Sequence, residues 1–480
     1  MAPEEWAEGR KAPNGLERQR SRRLVRRRID ALAIHRSHVD TGDGNRTVLS
    51  GAKRESIRTT ASEPARDRDP ELRSRGGAST WCVIVRNGNW AASFRQQGLA
   101  GGPKPATHRS IVQTREDVTV ATRDPIRTAV VGYGLGGAAF HAPFIATTPG
   151  LSLTAIVTGR PERQRKAADA YPGVRIVADV EELWHSSREV DLVAISTPNR
   201  THVPLALAAI AAGLHVVIDK PIAASSADAR RVGDAAAKRD VLAVPFQNRR
   251  WDGDFLTLRR LLNESALGAP IRFESGFERW RPEPTGGWRE RGTPEDAGGL
   301  LFDLGSHLID QALLLFGPVR EVYAELDRRR PGVDADDESF VAVTHASGVR
   351  SHLTMSAVAA QPGPRFRMLG TRGAYTKWGL DGQEDVLRAG GRPGGDDWGV
   401  EPPDRWGTLG VGDQLTRVPT ERGDYGAFYA GVARAIGEGN APPVQIGEAI
   451  RVLEVIEAAR AAAAHGTVTR LAGSSTPGEA

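Results

Sequence analysis

The chain has 480 residues, enough for two or three domains, and 40% of them are apolar, so sizeable cores are expected. Its net charge of +5 is uneven: residues 1–124 hold 24 Lys and Arg against 15 Asp and Glu, while the rest hold 40 against 44. A mildly acidic body argues against nucleic acid as its main ligand. Cys82 is the single cysteine, which rules out an intramolecular disulfide. No apolar run of about 18 residues is present to cross a membrane. With no apolar secretory stretch either, a cytoplasmic protein is expected. No Cys/His cluster has ligand spacing, so no metal is expected.

Residues 1–124 are rich in Arg, Ser, Thr, Gly and Pro and carry an arginine cluster at Arg22, Arg23, Arg26, Arg27 and Arg28. They read as a disordered, solvated, basic extension. Periodic sequence begins abruptly near Pro125, and the methionines are Met1, Met355 and Met368. A native start at Val118 or Val120 through an alternative initiation codon is one reading of that boundary. From Ile126 strands and helices alternate. Strands are predicted at Ile126–Val131, Leu151–Val157, Val174–Val177, Asp191–Ser196, His215–Ile218 and Val241–Pro245. Helices are predicted at Thr201–Ala212 and Ala227–Lys238. This is the pattern of a doubly wound parallel sheet, a Rossmann-type α/β domain over 125–245. Over 246–470 helical stretches mix with alternating runs such as Ile271–Glu278, Ser339–Ala346 and Ser351–Val358, predicting an α+β domain with an open, largely antiparallel sheet. Residues 471–480 read as a frayed tail.

The first predicted strand runs straight into Gly132-Tyr133-Gly134-Leu135-Gly136-Gly137, a G-x-G-x-x-G opening a helix. Gly132 suits the tight turn, Gly134 lets a pyrophosphate approach the backbone, and Gly137 lets the helix pack on its strand. The phosphates would meet free N–H groups at a helix N-terminus. An acidic residue ending the second strand would take the ribose 2′-OH of NAD. Here that strand ends in Thr158-Gly159-Arg160, with Arg163 nearby, and a guanidinium suits a 2′-phosphate. NADP is therefore expected in preference to NAD. Ser196, Thr197, Pro198, Asn199 and His202 follow the fourth strand, and Asp219 and Lys220 follow the fifth. Both loops lie at carboxyl ends of strands, where ligands bind in open α/β sheets.

In the second domain Asp303 and His307 stand four residues apart, on one face if a helix begins there, although Asp303 also suits an N-cap. Oxidising a secondary alcohol needs a base for the hydroxyl proton and a cation for the developing alkoxide. A neutral His and a Lys meet those needs, with a carboxylate to hold them. His307, Lys220 and Asp303 are the candidate catalytic set, and Asp310 a candidate support for His307.

The stretches GYGLGGAAFHAP, STPNRTH, DKP and GGLLFDLGSHLID resemble the Gfo/Idh/MocA oxidoreductase family over about 125–465. Asp219-Lys220-Pro221 replaces that family's usual Glu-Lys-Pro. Asn248-Arg249-Arg250-Trp251-Asp252, Trp288-Arg289-Glu290, Gly363-Pro364-Arg365-Phe366 and the stretch from Lys377 to Asp385 look like its NADP-dependent scyllo-inositol dehydrogenase branch. The resemblance implies hydride transfer between NADP(H) and a secondary alcohol of a cyclic polyol, scyllo-inositol or its inosose. A pocket for such a polyol must be polar, and its candidate residues are Asn248, Arg250, Arg289 and Arg365, with Trp280 and Trp288 for the ring face. It implies Lys220, Asp303 and His307 as catalytic residues and a homo-oligomer assembled through the C-terminal sheet. The alternatives are an NADP-dependent aldose dehydrogenase and a non-catalytic NADP-binding sensor.

Overall fold

The computed structural model describes residues 124–185 and 187–471, together with the backbone of an antiparallel hairpin of Ile84–Arg86 and Asn89–Ala91. Up to residue 123 the extension expected over 1–124 otherwise lies outside the described residues, as does the tail beyond Leu471.

The first domain is a parallel sheet of β1 (Ile126–Val131), β2 (Leu151–Val157), β3 (Arg175–Val177), β4 (Leu192–Ile195), β5 (His215–Ile218) and β6 (Ala243–Pro245). The strand order is β3-β2-β1-β4-β5-β6. Its strands are short apolar runs because helices cover both faces; all four residues of β4 are fully buried. The covering helices include α1 (Ala142–Thr147), α2 (Pro161–Ala170), α3 (Val180–His185), α4 (His202–Ala211) and α5 (Ser226–Arg239). Ser225 caps α5 by accepting from the Asp228 amide at 3.1 Å. The order reverses between β1 and β4, which opens a crevice at their carboxyl ends.

The second domain is a nine-stranded sheet. Its strands are β7 (Pro270–Glu278), β8 (Val319–Asp327), β9 (Glu338–His345), β10 (Arg350–Ser356), β11 (Phe366–Gly370), β12 (Ala374–Lys377), β13 (Gly407–Val411), β14 (Gln414–Val418) and β15 (Thr469–Arg470). The order is β14-β13-β12-β11-β7-β10-β9-β8-β15, antiparallel except where β7 meets β10. Burial alternates residue by residue along β9, as expected of a sheet covered on one face. The covering elements include α6 (Gly253–Asn263), α7 (Ser306–Phe316) and α10 (Ile446–His465); α8 (Gln383–Arg388) and α9 (Gly426–Glu438) complete the helices. A capping box between Gln445 and Glu448 starts α10. It packs on β8, α7 and α5, so it joins the two domains, and Glu457 accepts from the Ser226 amide and hydroxyl at 2.7 and 2.8 Å.

The helix that carries His307 starts at Ser306, preceded by a wide π-type turn over Leu301–Gly305. Asp303 lies within that turn and is not the N-cap, which leaves its carboxylate to face the crevice.

Candidate active site

Beyond Val131 the chain turns at Gly132 with φ +98°, a conformation that side chains rarely adopt. A Cβ there would stand 2.2 Å from the Ser196 carbonyl oxygen, and one on Gly137 1.9 Å from that of Gly132. Gly136, which the G-x-G-x-x-G pattern passes over, is as confined: its Cβ would meet Ser196 Oγ at 2.3 Å and Asp219 Oδ2 at 2.9 Å. Gly134 is open apart from Arg163 Nη1 at 3.6 Å. The turn is thus pressed against the β4 and β5 loops with one bare side under a guanidinium, a cradle that fits a pyrophosphate. Tyr133 packs into the core beside it, while Leu135 is half-exposed at the cleft. At the end of β2 Thr158 is buried, and Gly159 and Arg160 are exposed ahead of α2. Among the described residues no carboxylate pairs with Arg160 or Arg163.

The two neighbouring loops hold each other. Ser196 Oγ donates to Asp219 Oδ2 at 3.0 Å, and the Lys220 amide donates to Asp219 Oδ1 at 2.9 Å. His141, from the turn before α1, places Nε2 3.6 Å from Asp219 and Nδ1 2.6 Å from the Tyr429 hydroxyl. Burial opposes the Asp219 charge, but the His141, His202 and Lys220 rings and cation outweigh it, and the carboxyl stays well below the usual range. Thr197 Oγ1 accepts from Thr201, and Pro198 is exposed. Two expectations are corrected here. The buried His202 ring spans the Pro221 and Thr197 carbonyl oxygens at 2.8 and 2.9 Å, so it braces the loops. The Asn199 amide donates to the carbonyls of Asp296 and Ala297, both at 3.2 Å, and so ties this loop to the second domain. Both His202 ring nitrogens and the Asn199 amide nitrogen are therefore engaged by main-chain oxygens.

Lys220, Asp303 and His307 line one cleft of about 310 Å³ that reaches Leu135 and Gly136. Lys220 Nζ donates to Asp303 Oδ1 at 2.9 Å and to the Asp303 main-chain oxygen. Arg289 Nε adds a 3.3 Å contact to Oδ1. Burial alone would raise the Asp303 carboxyl; Lys220 and Arg289 override it and hold the group well below the carboxylate range. His307 is buried, with Nδ1 3.2 Å from Gln247 Oε1. With that oxygen as acceptor Nδ1 is the donor, and Nε2 is the ring nitrogen without a proton. Burial, then the Lys220 and Arg249 cations, push the imidazole well below its ordinary 6.5. Asp310 does not hold it, being committed to Arg250. A larger hollow of about 550 Å³, bordered by Ser225, Phe302 and Arg460, lies apart from these three residues.

Of the substrate candidates, Asn248 and Arg289 line the cleft, with Arg289 stacked on Trp288 at 4.4 Å. Trp280 is 57% exposed, bridging to Val358 in an isolated backbone pair. Arg250 and Arg365 are corrected: both are buried away from the cleft. Arg250 makes a bidentate pair with Asp310 at 2.8 and 2.7 Å and reaches Glu448 at 3.2 Å. Arg365 donates to Ser275 at 2.7 Å and Gln311 at 2.9 Å and lies over the Phe366 ring. For Arg250 the misplacement follows from the turn Asn248–Trp251, where the neighbouring Asn248 and Arg249 line the cleft and Arg250 turns to Asp310. Arg249, Arg279 and Arg281 line the cleft instead. Arg249→Met is not the informative variant, because that residue serves both cleft and core; Arg250→Met is. It strands the buried Asp310 charge and should cost about 3–5 kcal/mol of stability. Thermal denaturation should show the loss with KM unchanged at low temperature. A raised KM with an unchanged Tm would put Arg250 back among the substrate ligands.

A Rossmann crevice whose glycine turn abuts a lysine, a carboxylate and a neutral histidine defines a nicotinamide-dependent oxidoreductase. Residues 126–246 match the model described as "Oxidoreductase family, NAD-binding Rossmann fold", and residues 255–376 match the GFO/IDH/MocA C-terminal domain. The chain is 41% identical over 346 residues to the uncharacterized oxidoreductase YdgJ of Escherichia coli, covering 71% of this chain and 97% of that protein. It is 35% identical over 341 residues to the scyllo-inositol 2-dehydrogenase (NADP(+)) IolW of Bacillus subtilis, covering 70% and 93%. The solved structure of the oxidoreductase YPO2259 from Yersinia pestis is 39% identical, with a TM-score of 0.67 over 72% of this chain and 97% of that one. The chain belongs to the Gfo/Idh/MocA family and is an NAD(P)-dependent dehydrogenase.

Proposed function

We propose that the protein transfers hydride between NADP(H) and a secondary alcohol of a cyclic polyol, with scyllo-inositol and its inosose as the first candidates. The observation that carries this reading is the convergence of Lys220, Asp303 and His307 beside the glycine turn. The named activity of IolW supports the choice of substrate and cofactor. When bound, the nicotinamide supplies the hydride acceptor. The chain's residues manage the proton and the charge. His307 Nε2 takes the hydroxyl proton as hydride leaves the carbon. Two of the three Lys220 donors are held by Asp303, and the third is left for the substrate oxygen, where it stabilises the alkoxide. Asp303 stays ionised and fixes the lysine. In this reading residues 125–245 bind NADP, and 246–470 bind substrate and form the oligomer through the open face of the nine-stranded sheet.

The test is reduction of NADP⁺ and NAD⁺ in turn, followed by absorbance, with scyllo-inositol, myo-inositol, glucose and xylose. Reduction of NADP⁺ by an inositol is expected; turnover with none of these alcohols would overturn the reading. Arg160 and Arg163 carry the cofactor preference. Arg160→Ala should weaken NADPH binding about ten-fold, the scale of one lost charge-assisted contact, and leave NADH unchanged. Fluorescence titration measures both, and equal losses would remove the 2′-phosphate role.

A further inference from the structure

The cleft holds more positive charge than its acids account for. Six cationic side chains line it against three carboxylates, and each carboxylate is engaged. Asp303 is held by Lys220 and Arg289, Glu384 by Arg249 and Arg388, and Asp219 by Ser196 and the Lys220 amide. Arg279 and Arg281 remain. Among the described residues no carboxylate forms an ion pair with either.

These two arginines are built into the site. They follow β7, and their amides donate to the Ser356 and Ala357 carbonyls at 2.8 and 2.7 Å. The Arg279 guanidinium lies over the Phe277 ring at 4.6 Å from its centroid, a contact that fixes the plane of the group. Burial, then the like charge of Arg281, lower Arg279 to about 10. Arg279 is half-buried and Arg281 exposed beside it, and like charges this close repel each other unless an anion joins them. They also border a lobe of about 120 Å³ that adjoins Asp303 and is lined wholly by second-domain residues; of its other acids Glu283 is exposed at the rim, Glu290 is paired with Arg330, and Asp336 accepts from the Leu301 amide and the Ser339 hydroxyl. The lobe touches neither the glycine turn nor the end of β2, so the phosphates of a dinucleotide are not its occupants.

We propose that the substrate is a polyol or sugar carrying an anionic group, carboxylate or phosphate, received by Arg279 and Arg281 while its reacting carbinol lies at Lys220 and His307. The planar forks of two arginines suit either oxyanion bidentately. The proposal rests on the cleft being the hydride-transfer site, and it moves that site's substrate class from the neutral inositols named first above to polyols or sugars that carry an anion.

The experiment is isothermal titration of the full-length protein, saturated with NADPH, with D-glucose, D-glucuronate and D-glucose 6-phosphate. At least one anionic sugar is expected to bind about ten-fold or more tightly than glucose, and the advantage should shrink as salt is raised. Tighter glucuronate binding assigns a carboxylate, and tighter glucose 6-phosphate binding a phosphate. Arg279→Leu should remove the difference; if that variant does not fold, Arg281→Leu and the wild-type ratio decide. Glucose binding as well as both anions overturns the proposal. Parallel turnover assays keep the two readings apart. Neutral inositols oxidised without any anion preference in binding would leave the dehydrogenase and discard the anion subsite. Tight anion binding with no alcohol oxidised would do the reverse.

Discussion

Lys220→Ala should lower kcat about 10³-fold while NADPH still binds, because the variant loses the cation that meets the developing alkoxide and keeps the glycine cradle. The geometry makes the effect large. Lys220 sits just beyond β5, and Asp303 Oδ1 and the Asp303 main-chain oxygen fix its ammonium from the second domain. No neighbouring cation substitutes, since Arg289 points its Nε at the same carboxylate. Lys220→Arg should not restore the rate, because the longer planar fork cannot place one donor at the same point. Stopped-flow turnover and NADPH fluorescence on the same preparation separate chemistry from binding. Wild-type kcat in Lys220→Ala would remove the lysine from the mechanism.

His307→Ala should cost about 10²–10⁴ in kcat, the range of a lost general base. The pH profile gives a second readout. Burial and the Lys220 and Arg249 cations depress the imidazole well below 6.5, so it is neutral and able to accept a proton throughout the neutral range. Alcohol oxidation should therefore hold as pH falls through 6.5 and decline only below the folded value. Stability follows the opposite partner. Between the folded value and 6.5 the unfolded chain binds a proton that the native state does not. The His307 contribution to stability is then lost as pH falls below 6.5. Melting curves of the wild type and His307→Gln on either side of that pH should converge toward the acid side. An acid limb of kcat centred at 6.5 would mean that an unburied histidine, not His307, is the base.

The doubly wound sheet was legible in the chain because its strands are short, β-branched and apolar on both faces; Leu151–Val157 and His215–Ile218 keep the predicted bounds. So was the glycine turn, whose spacing answers a local steric demand at Gly132 and Gly137. Strand β8, VREVYAELD, and helix α9, GAFYAGVARAIGE, were not legible. In the first, Arg320 and Glu321 stand side by side and Tyr323 is exposed, which breaks the two-residue alternation, and the second is rich in glycine and alanine, so neither shows a clean period without its packing partner. The π-type turn at Leu301–Gly305 belongs with them, since a wide turn leaves no mark in residue spacing.

Within the site, sequence gave residue types and neighbourhoods, and long-range contact gave direction. Motif position was enough to suggest that Lys220, Asp303 and His307 gather. That Gln247 rather than Asp310 holds His307 depends on a loop 60 residues away in the chain. Arg249 and Arg250 are adjacent in sequence, yet one faces the cleft and the other a buried carboxylate 60 residues away. Gly136 is confined by Ser196 and Asp219, which come from two other strands. Local periodicity follows from backbone geometry within a few residues, so it can be read along the chain. Which side chain meets which across strands and domains is settled by packing, where burial of charge and volume selects one partner among many of the same type.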